Sequence, residues 1–330
     1  MSKALTVTQP KAITQDADIL ALVGEWHTAL NLQVKAGELS ETSAETYKRG
    51  MARFIGWADG RGAVSDDMIR EWKAAIIAEG HKPGAVNTWL AGVRAFFAWA
   101  VGARRLLHNP AAAIKGAKRT GTSKAHKRAA LTDAEVLRVL ATPNRETVQG
   151  KRDAAMLHLM AYTGARQIEL HRAGVGDVRT EAGRLVLAVT GKGRAEADEL
   201  IVIAHPDAEA ALHDWLSARG NDPSTGSGGP LFVSLSNRGR DERLSLRAIR
   251  GIVKAAYKAA GVAGKNKTTH SLRHTAITTA VKRGAPVQKV QAMARHANIS
   301  TTMIYYHETD RVENPAEEYI QYNGSGGGMR

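Results

Sequence analysis

Over the first hundred positions, apolar residues recur at helical intervals and polar residues fill the gaps. Between Asp16 and Val34 the residues Ile19, Val23, Trp26 and Leu30 share one stripe, predicting an amphipathic helix. A second helix is predicted from Ser43 to Ala58, carrying Tyr47, Met51, Phe54 and Ile55. Ser65 is placed to cap a third, with Ile69, Trp72 and Ile76 on its inner face. A fourth, Gly84 to Val101, stacks Val86, Trp89, Leu90, Val93, Phe96 and Phe97 before Asn109-Pro110 breaks the pattern. These aromatics read as core rather than as platforms for bases. The basic residues off the stripes, Lys48, Arg49, Arg53, Lys82, Arg94, Arg104 and Arg105, are better placed to meet a polyanion.

The periodicity lapses at 115–128, KGAKRTGTSKAHKR, which is basic throughout and holds no acid. This segment predicts a linker between a helical unit at 16–114 and a second domain at 129–313. Beyond it, Thr132 and Glu135 have the capping-box spacing that opens a helix. Residues 151–163 predict a largely buried helix. Arg184 to Thr190 and Leu200 to Ile203 read as strands, with Leu231 to Val233 as a candidate third. The stretch 221–230 is a loop, and Ser245 to Tyr305 is helical again. The fold class expected is mainly α with a small antiparallel β-sheet. Residues 1–15 and the glycine-rich end of 314–330 are expected to be disordered, with a short helix near 315–322.

Composition narrows the partner. The chain of 330 residues carries 46 Lys plus Arg against 32 Asp plus Glu, a formal net charge of +14. Such an excess favours a polyanion, although a ribosomal or membrane-surface protein would share it. Cysteine is absent, which excludes disulfides, thiolate zinc sites and cysteine nucleophiles. No apolar run is long enough to span a bilayer, and no signal segment opens the chain, so a cytoplasmic, nucleoid-associated location is expected.

The chemistry concentrates downstream. His270 and Arg273 are three apart and share a helix face. His296 follows, and Tyr305 lies nine residues beyond it. Upstream, TGARQIEL places Arg166 just after an apolar helical run with Glu169 one turn on, and TGKGR sets Lys192 in a glycine turn between strands. Lys192 is not a P-loop lysine, because glycine follows it where Ser or Thr is required. Cations, hydrogen-bond donors and a phenol are what a site needs to attack a phosphodiester with tyrosine oxygen.

In order and spacing, Arg166, Lys192, His270, Arg273, His296 and Tyr305 resemble the tyrosine recombinase (integrase) family, in its simple two-domain Xer/Cre-like form. The likeness is strong over 128–310 and general before that. It implies a two-domain DNA clamp, with 16–114 as core-binding domain and 129–313 as catalytic domain. It implies double-stranded DNA as partner, a homo-tetramer on synapsed DNA, and neither metal nor cofactor; a second recombinase or an accessory DNA-binding protein stays open. Arg166 and Arg273 would neutralise the non-bridging oxygens. His270 and His296 would hydrogen-bond the phosphate or move a proton, and Lys192 would protonate the leaving 5′-oxygen. Tyr305 would form a 3′-phosphotyrosine. Glu169 would orient cations and His274 would pack beneath the site. DNA contacts are expected from Lys48, Arg49, Arg53, Arg94, Lys118, Arg119, Lys124, Lys127, Arg128 and Arg295.

Departures and alternatives matter. The family pattern has Leu-Gly before the second His, where Ala294-Arg295 stand here, and Ala165 replaces a commoner Leu. Tyr306 is a second phenol next to the first. His270 and His274 have the spacing of a helical zinc site, but no Glu sits beside His270. With sixteen or so residues before the first predicted helix, no additional DNA-binding domain is expected there. A type IB topoisomerase and a non-catalytic DNA-binding protein are the competing classes.

Overall fold

A computed structural model describes residues 16–61, 64–118, 130–190, 197–219, 228–237, 239–262, 264 and 267–309. The chain divides into two compact units, Met1–Thr122 and Ser123–Arg330.

Unit 1 contains α1 (Asp16–Lys35), α2 (Glu41–Ala58), α3 (Asp66–Ala78) and α4 (Pro83–Gly102). The second helix starts two residues earlier than its apolar pattern, because Ser40 rather than Ser43 is the cap and accepts from the Ser43 amide. Ser65 caps α3 by accepting from the Met68 amide. Trp26, Phe54, Trp72, Phe96 and Phe97 are all buried. Their rings meet edge-on, Trp26 with Phe96 at 5.5 Å and Phe54 with Trp72 at 5.3 Å between centroids, the geometry that aromatic quadrupoles favour.

The α2–α4 crossing is set by two glycines. A Cβ at Gly50 would lie 2.4 Å from the Trp89 carbonyl oxygen, and one at Gly92 would lie 2.3 Å from that of Tyr47. The helices approach closely because neither position carries a side chain. After α4, Asn87 grips residue 117 from both sides, accepting from its amide at 2.7 Å and donating to its carbonyl at 3.2 Å.

Unit 2 begins with α5 (Asp133–Leu140), where Thr132 and Glu135 form the complete capping box. The buried helix α6 (Val148–Thr163) packs against α5, α8 (Pro206–Ala218) and α10 (Thr269–Lys282). Between α6 and α8 come the short α7 (Gln167–Arg172) and an antiparallel sheet of β1 (Val178–Glu181), β2 (Arg184–Thr190) and β3 (Ala197–Val202), in that order. Leu187, Val189 and Ile201 carry the sheet's face into the core.

The third strand is not the one expected. Leu231 to Val233 is buried but forms no strand; the bridges there join Gly174 to Pro230 and Val233 to Arg243. The sheet is completed by β1 instead, which pairs Glu181 with Arg184 across a turn at Ala182 and Gly183. Both turn residues have positive φ, 47° and 74°, as a tight hairpin of this hand requires. The helices α9 (Leu246–Ala259), α10, α11 (Val287–Ala294) and α12 (Ile299–Thr309) follow. Among the described residues, no helix is long and apolar enough to cross a membrane.

The crossing yields a prediction of opposite signs. Gly→Ala inside a helix ordinarily stabilises by up to ~1 kcal/mol. Gly92→Ala is expected to destabilise unit 1 by about 1–3 kcal/mol through overpacking. Gly56→Ala, on the same α2 with nothing within 4 Å of the added carbon, should be neutral or stabilising. Urea unfolding of the two variants compares them; a Gly92→Ala protein as stable as wild type would refute the close-packed crossing.

Candidate active site

Three helix ends bring the site together. Helix α6 stops at Gly164, which takes the left-handed conformation at φ 65°. The chain then turns through Ala165 to Arg166, whose extended backbone starts α7. Helix α11 ends at Ala294, and its last carbonyls face the same space, where the helix dipole is negative.

Arg166 donates from Nη2 to the carbonyls of Ala294 at 3.1 Å and Arg295 at 2.8 Å. Arg273, on α10 and buried, donates from Nη1 to the Gly164 carbonyl at 2.7 Å and from Nη2 to that of Ala294. The two guanidiniums therefore share one acceptor although 107 positions separate them in sequence. Burial pushes the Arg273 pKa down, and the charges of Arg166 and Arg295 push it further, to about 9, against the pull of Glu169 and Tyr305. The group is still a cation at neutral pH.

Glu169 supplies the counter-charge. Its Oε1 accepts from Arg166 Nη1 at 2.6 Å and Arg295 Nε at 3.1 Å. Its Oε2 accepts from the Arg166 amide at 2.7 Å and Arg295 Nη2 at 2.8 Å. Burial alone would raise this carboxyl's pKa, but the bonds and charges of Arg295 and then Arg166 bring it below the ordinary glutamate range.

Arg295 turns inward, where a DNA contact was expected. Its side chain is 3% exposed and forms an ion pair with Glu169, while Nη1 donates to the Met293 carbonyl at 2.6 Å. Its backbone is left-handed at φ 51° and ψ 51°. That conformation costs a non-glycine residue roughly 1–2 kcal/mol. The departure from Leu-Gly thus falls on the position where glycine is the natural helix stop.

The phenol lies beside this cluster. Tyr305, on α12, is 6% exposed, with its ring 5.2 Å from His274 and stacked 6.3 Å from His296. His296 Nδ1 lies 2.9 Å from the hydroxyl of Thr302, which is buried. This contact with Thr302 fixes the plane of the imidazole. Tyr306 is directed elsewhere, its hydroxyl donating to the Ala285 carbonyl. His270 is exposed at the start of α10, with Nδ1 3.4 Å from the Thr269 hydroxyl, which donates to Gln167.

The structure therefore gathers Arg166, Glu169, Arg273, His274, Arg295, His296 and Tyr305, with His270 one turn from Arg273. Lys192 lies outside the described residues, in the chain between β2 and β3. Sequence reasoning missed Thr302, although its place between His296 and Tyr305 was a usable signal. Among the described residues, no three His, Asp or Glu side chains cluster as a metal site.

Four of the expected DNA contacts of unit 1, Lys48, Arg49, Arg53 and Arg94, already hold intramolecular partners. Lys48 bonds Glu45 at 2.9 Å and Asn31 at 3.1 Å, and Arg49 donates to the Glu45 carbonyl. Arg53 pairs with Glu79 at 2.8 Å and covers the Trp89 ring at 4.2 Å. Arg94 donates to the Ile114 carbonyl. Lys118 is exposed, and Arg119, Lys124, Lys127 and Arg128 lie outside the described residues.

Comparison with known proteins places this arrangement in context. Residues 129–311 match the phage integrase family. A tyrosine recombinase of Synechococcus elongatus is 26% identical over 92% of this chain and 94% of its own length. Tyrosine recombinase XerC of Corynebacterium glutamicum is 31% identical over 74% of each chain. In fold, the chain is similar to the XerH site-specific recombinase bound to a palindromic difH substrate, with a TM-score of 0.69, 16% identity, and coverage of 95% of this chain and 91% of that one. A lambda integrase dimer bound to a core site gives a TM-score of 0.62 at 18% identity, covering 86% of this chain and 96% of that one.

The buried carboxylate is open to test. Glu169→Ala leaves two arginines without their anion and is expected to cost about 3–5 kcal/mol of stability. The sign with pH follows from its lowered pKa: the contribution is complete above the ordinary glutamate range and disappears as pH falls through the depressed value. Melting curves between neutral and acid pH should show the wild type losing more stability than Glu169→Gln; parallel curves would contradict the ion pairing.

Proposed function

Since the chain belongs to the phage integrase family and is a tyrosine recombinase, we propose that it cuts and rejoins DNA at a defined site through Tyr305, on two sites held together by a tetramer. The observation that carries the reading is the convergence of Arg166 and Arg273 on the Ala294 carbonyl, next to the stacked rings of His296 and Tyr305.

A phosphodiester is an anion that repels nucleophiles, and its transition state places more charge on the non-bridging oxygens. Arg166 and Arg273 answer that charge with planar, fork-shaped donors. His296, oriented by Thr302, donates to a non-bridging oxygen, and His270 accepts the phenolic proton. Oxygen of Tyr305 forms a bond to phosphorus as the bond to the 5′-oxygen breaks, and Lys192 gives that leaving oxygen its proton. The products are a 3′-phosphotyrosine and a free 5′-hydroxyl. The ester conserves the bond, so a 5′-hydroxyl from a second strand reseals it by the reverse route.

In this reading the product is the resolution, integration or excision of a replicon dimer or mobile element. Residues 314–322 would dock on a neighbouring protomer and couple the tetramer's active sites; they lie outside the described residues.

Two experiments test it. Incubation with supercoiled plasmid in EDTA, followed by denaturant, should trap covalent protein–DNA adducts in wild type and Tyr306→Phe but none in Tyr305→Phe. Sequencing the trapped ends should give one recurrent site; adducts scattered over the plasmid would instead favour topoisomerase-like relaxation, and their absence in wild type would reject the nucleophile. Deleting 314–322 should preserve binding to one site and reduce recombination between two, whereas undiminished recombination would exclude the docking role.

A further inference from the structure

We propose that Arg295 is a positioning residue for strand cleavage: it holds Glu169, and through Glu169 the guanidinium of Arg166, in the orientation that receives the scissile phosphate. The inference deepens the function proposed above and rests on it.

The backbone is the first observation. Four non-glycine residues have positive φ among the described residues, Arg104, Ala182, Asp241 and Arg295, and Arg295 alone of these places its side chain in the arginine–carboxylate cluster. A strained conformation at the end of α11 is retained although glycine would relieve it.

The second observation is what the strain secures. From this helix stop the side chain crosses to α7 and meets Glu169 with two parallel bonds, at 3.1 and 2.8 Å. Each carboxylate oxygen then accepts one bond from Arg295 and one from Arg166, so the carboxylate has no rotational freedom. Without Arg295, half of those bonds vanish and Glu169 can turn, carrying the Arg166 fork with it.

The third is direction. Every guanidinium nitrogen of Arg295 is engaged: Nε and Nη2 on Glu169, and Nη1 on the Met293 carbonyl. With a side chain 3% exposed, it acts on the phosphate through its neighbours rather than by touching it. It also balances charge. Three arginines against one carboxylate leave the cluster an excess of two positive charges; with Arg295 gone, Glu169 would offset half of what Arg166 and Arg273 present.

Arg295→Gly is the informative variant, because it removes the guanidinium while suiting the left-handed backbone. The probe is a nicked duplex carrying the site recovered from wild-type adducts on plasmid. Affinity for this duplex at fixed salt is expected to stay within about twofold, while the single-turnover rate of adduct formation falls about 10–100-fold, the range for groups that orient a catalytic ligand. Glu169→Gln should slow the step similarly, and the double variant should be no slower than the slower single one, because the two residues act as a unit. Should Arg295→Gly fail to fold, Arg295→Lys, which keeps the charge but not the paired bonds, must show the same loss of rate at unchanged affinity.

Cleavage at the wild-type rate in the folded variant overturns the inference. So does a parallel loss of affinity and salt dependence, which would make Arg295 a phosphate contact. A wild-type protein that traps no DNA would defeat the functional reading itself, whereas active wild type with equally active variants defeats only the role of Arg295.

Discussion

Three guanidiniums and one carboxylate occupy the space between the ends of α6 and α11, and the mutual repulsion of the cations governs how the surrounding chain is built. One anion cannot neutralise three cations, so backbone carbonyls make up part of the deficit. Gly164, Met293, Ala294 and Arg295 all turn their oxygens toward arginine nitrogens. Carbonyls are available there because two helices stop, leaving their last acceptors without intrahelical donors. The left-handed residues Gly164 and Arg295 are the means by which each helix stops at that place. Helix termination and the geometry of the arginine cluster are one constraint here.

Much of this was legible in one dimension. The stripes over 16–101 identified the aromatic core of unit 1, because burial of a helix face leaves a periodic trace. The order of Arg166, His270, Arg273, His296 and Tyr305 pointed to the family that the comparison shows, and the fold brings Arg166, Arg273, His296 and Tyr305 together. The direction of Arg295 was not legible. A residue's sign of φ leaves no periodic mark, and its partner Glu169 lies 126 positions away. The strand β1 escaped for a related reason: Val178 is its one buried residue, so no alternation declares it. Conversely, Leu231 to Val233 looked like a strand because it is apolar, but it is apolar through burial against Trp215 and its surroundings, and its backbone is spent elsewhere, with the Leu231 carbonyl accepting from the Trp215 indole at 2.9 Å. Apolar content reports burial; only pairing makes a strand.

The basic side chains of unit 1 do not lie idle on its surface. Arg53 rests on Trp89 and pairs with Glu79, and Lys48 pairs with Glu45. Exposed pairs of this kind contribute about 0–1 kcal/mol each, so exchanging the carboxylate for a phosphate sacrifices little. Stacking on an indole removes part of the rotamer freedom that an arginine would otherwise lose on binding. A residue held in this way meets its ligand at lower entropic cost than a fully mobile one.

The depressed pKa of Arg273 marks where unit 2 accepts a loss. A base whose folded-state pKa is lowered, here to about 9, destabilises the fold at lower pH, where it is charged in both states; the penalty lifts only as pH rises above that value. At neutral pH the fold therefore carries a buried cation crowded by two others. Replacing Arg273 with an apolar side chain would relieve the crowding, yet the group is positioned by two carbonyls rather than dispersed to solvent. A phosphate at this site would reverse the balance, because its charge favours the protonated form that burial opposes. In the function proposed above, the electrostatic cost borne by the free protein would become differential affinity for the anion, growing as negative charge accumulates on the phosphoryl oxygens.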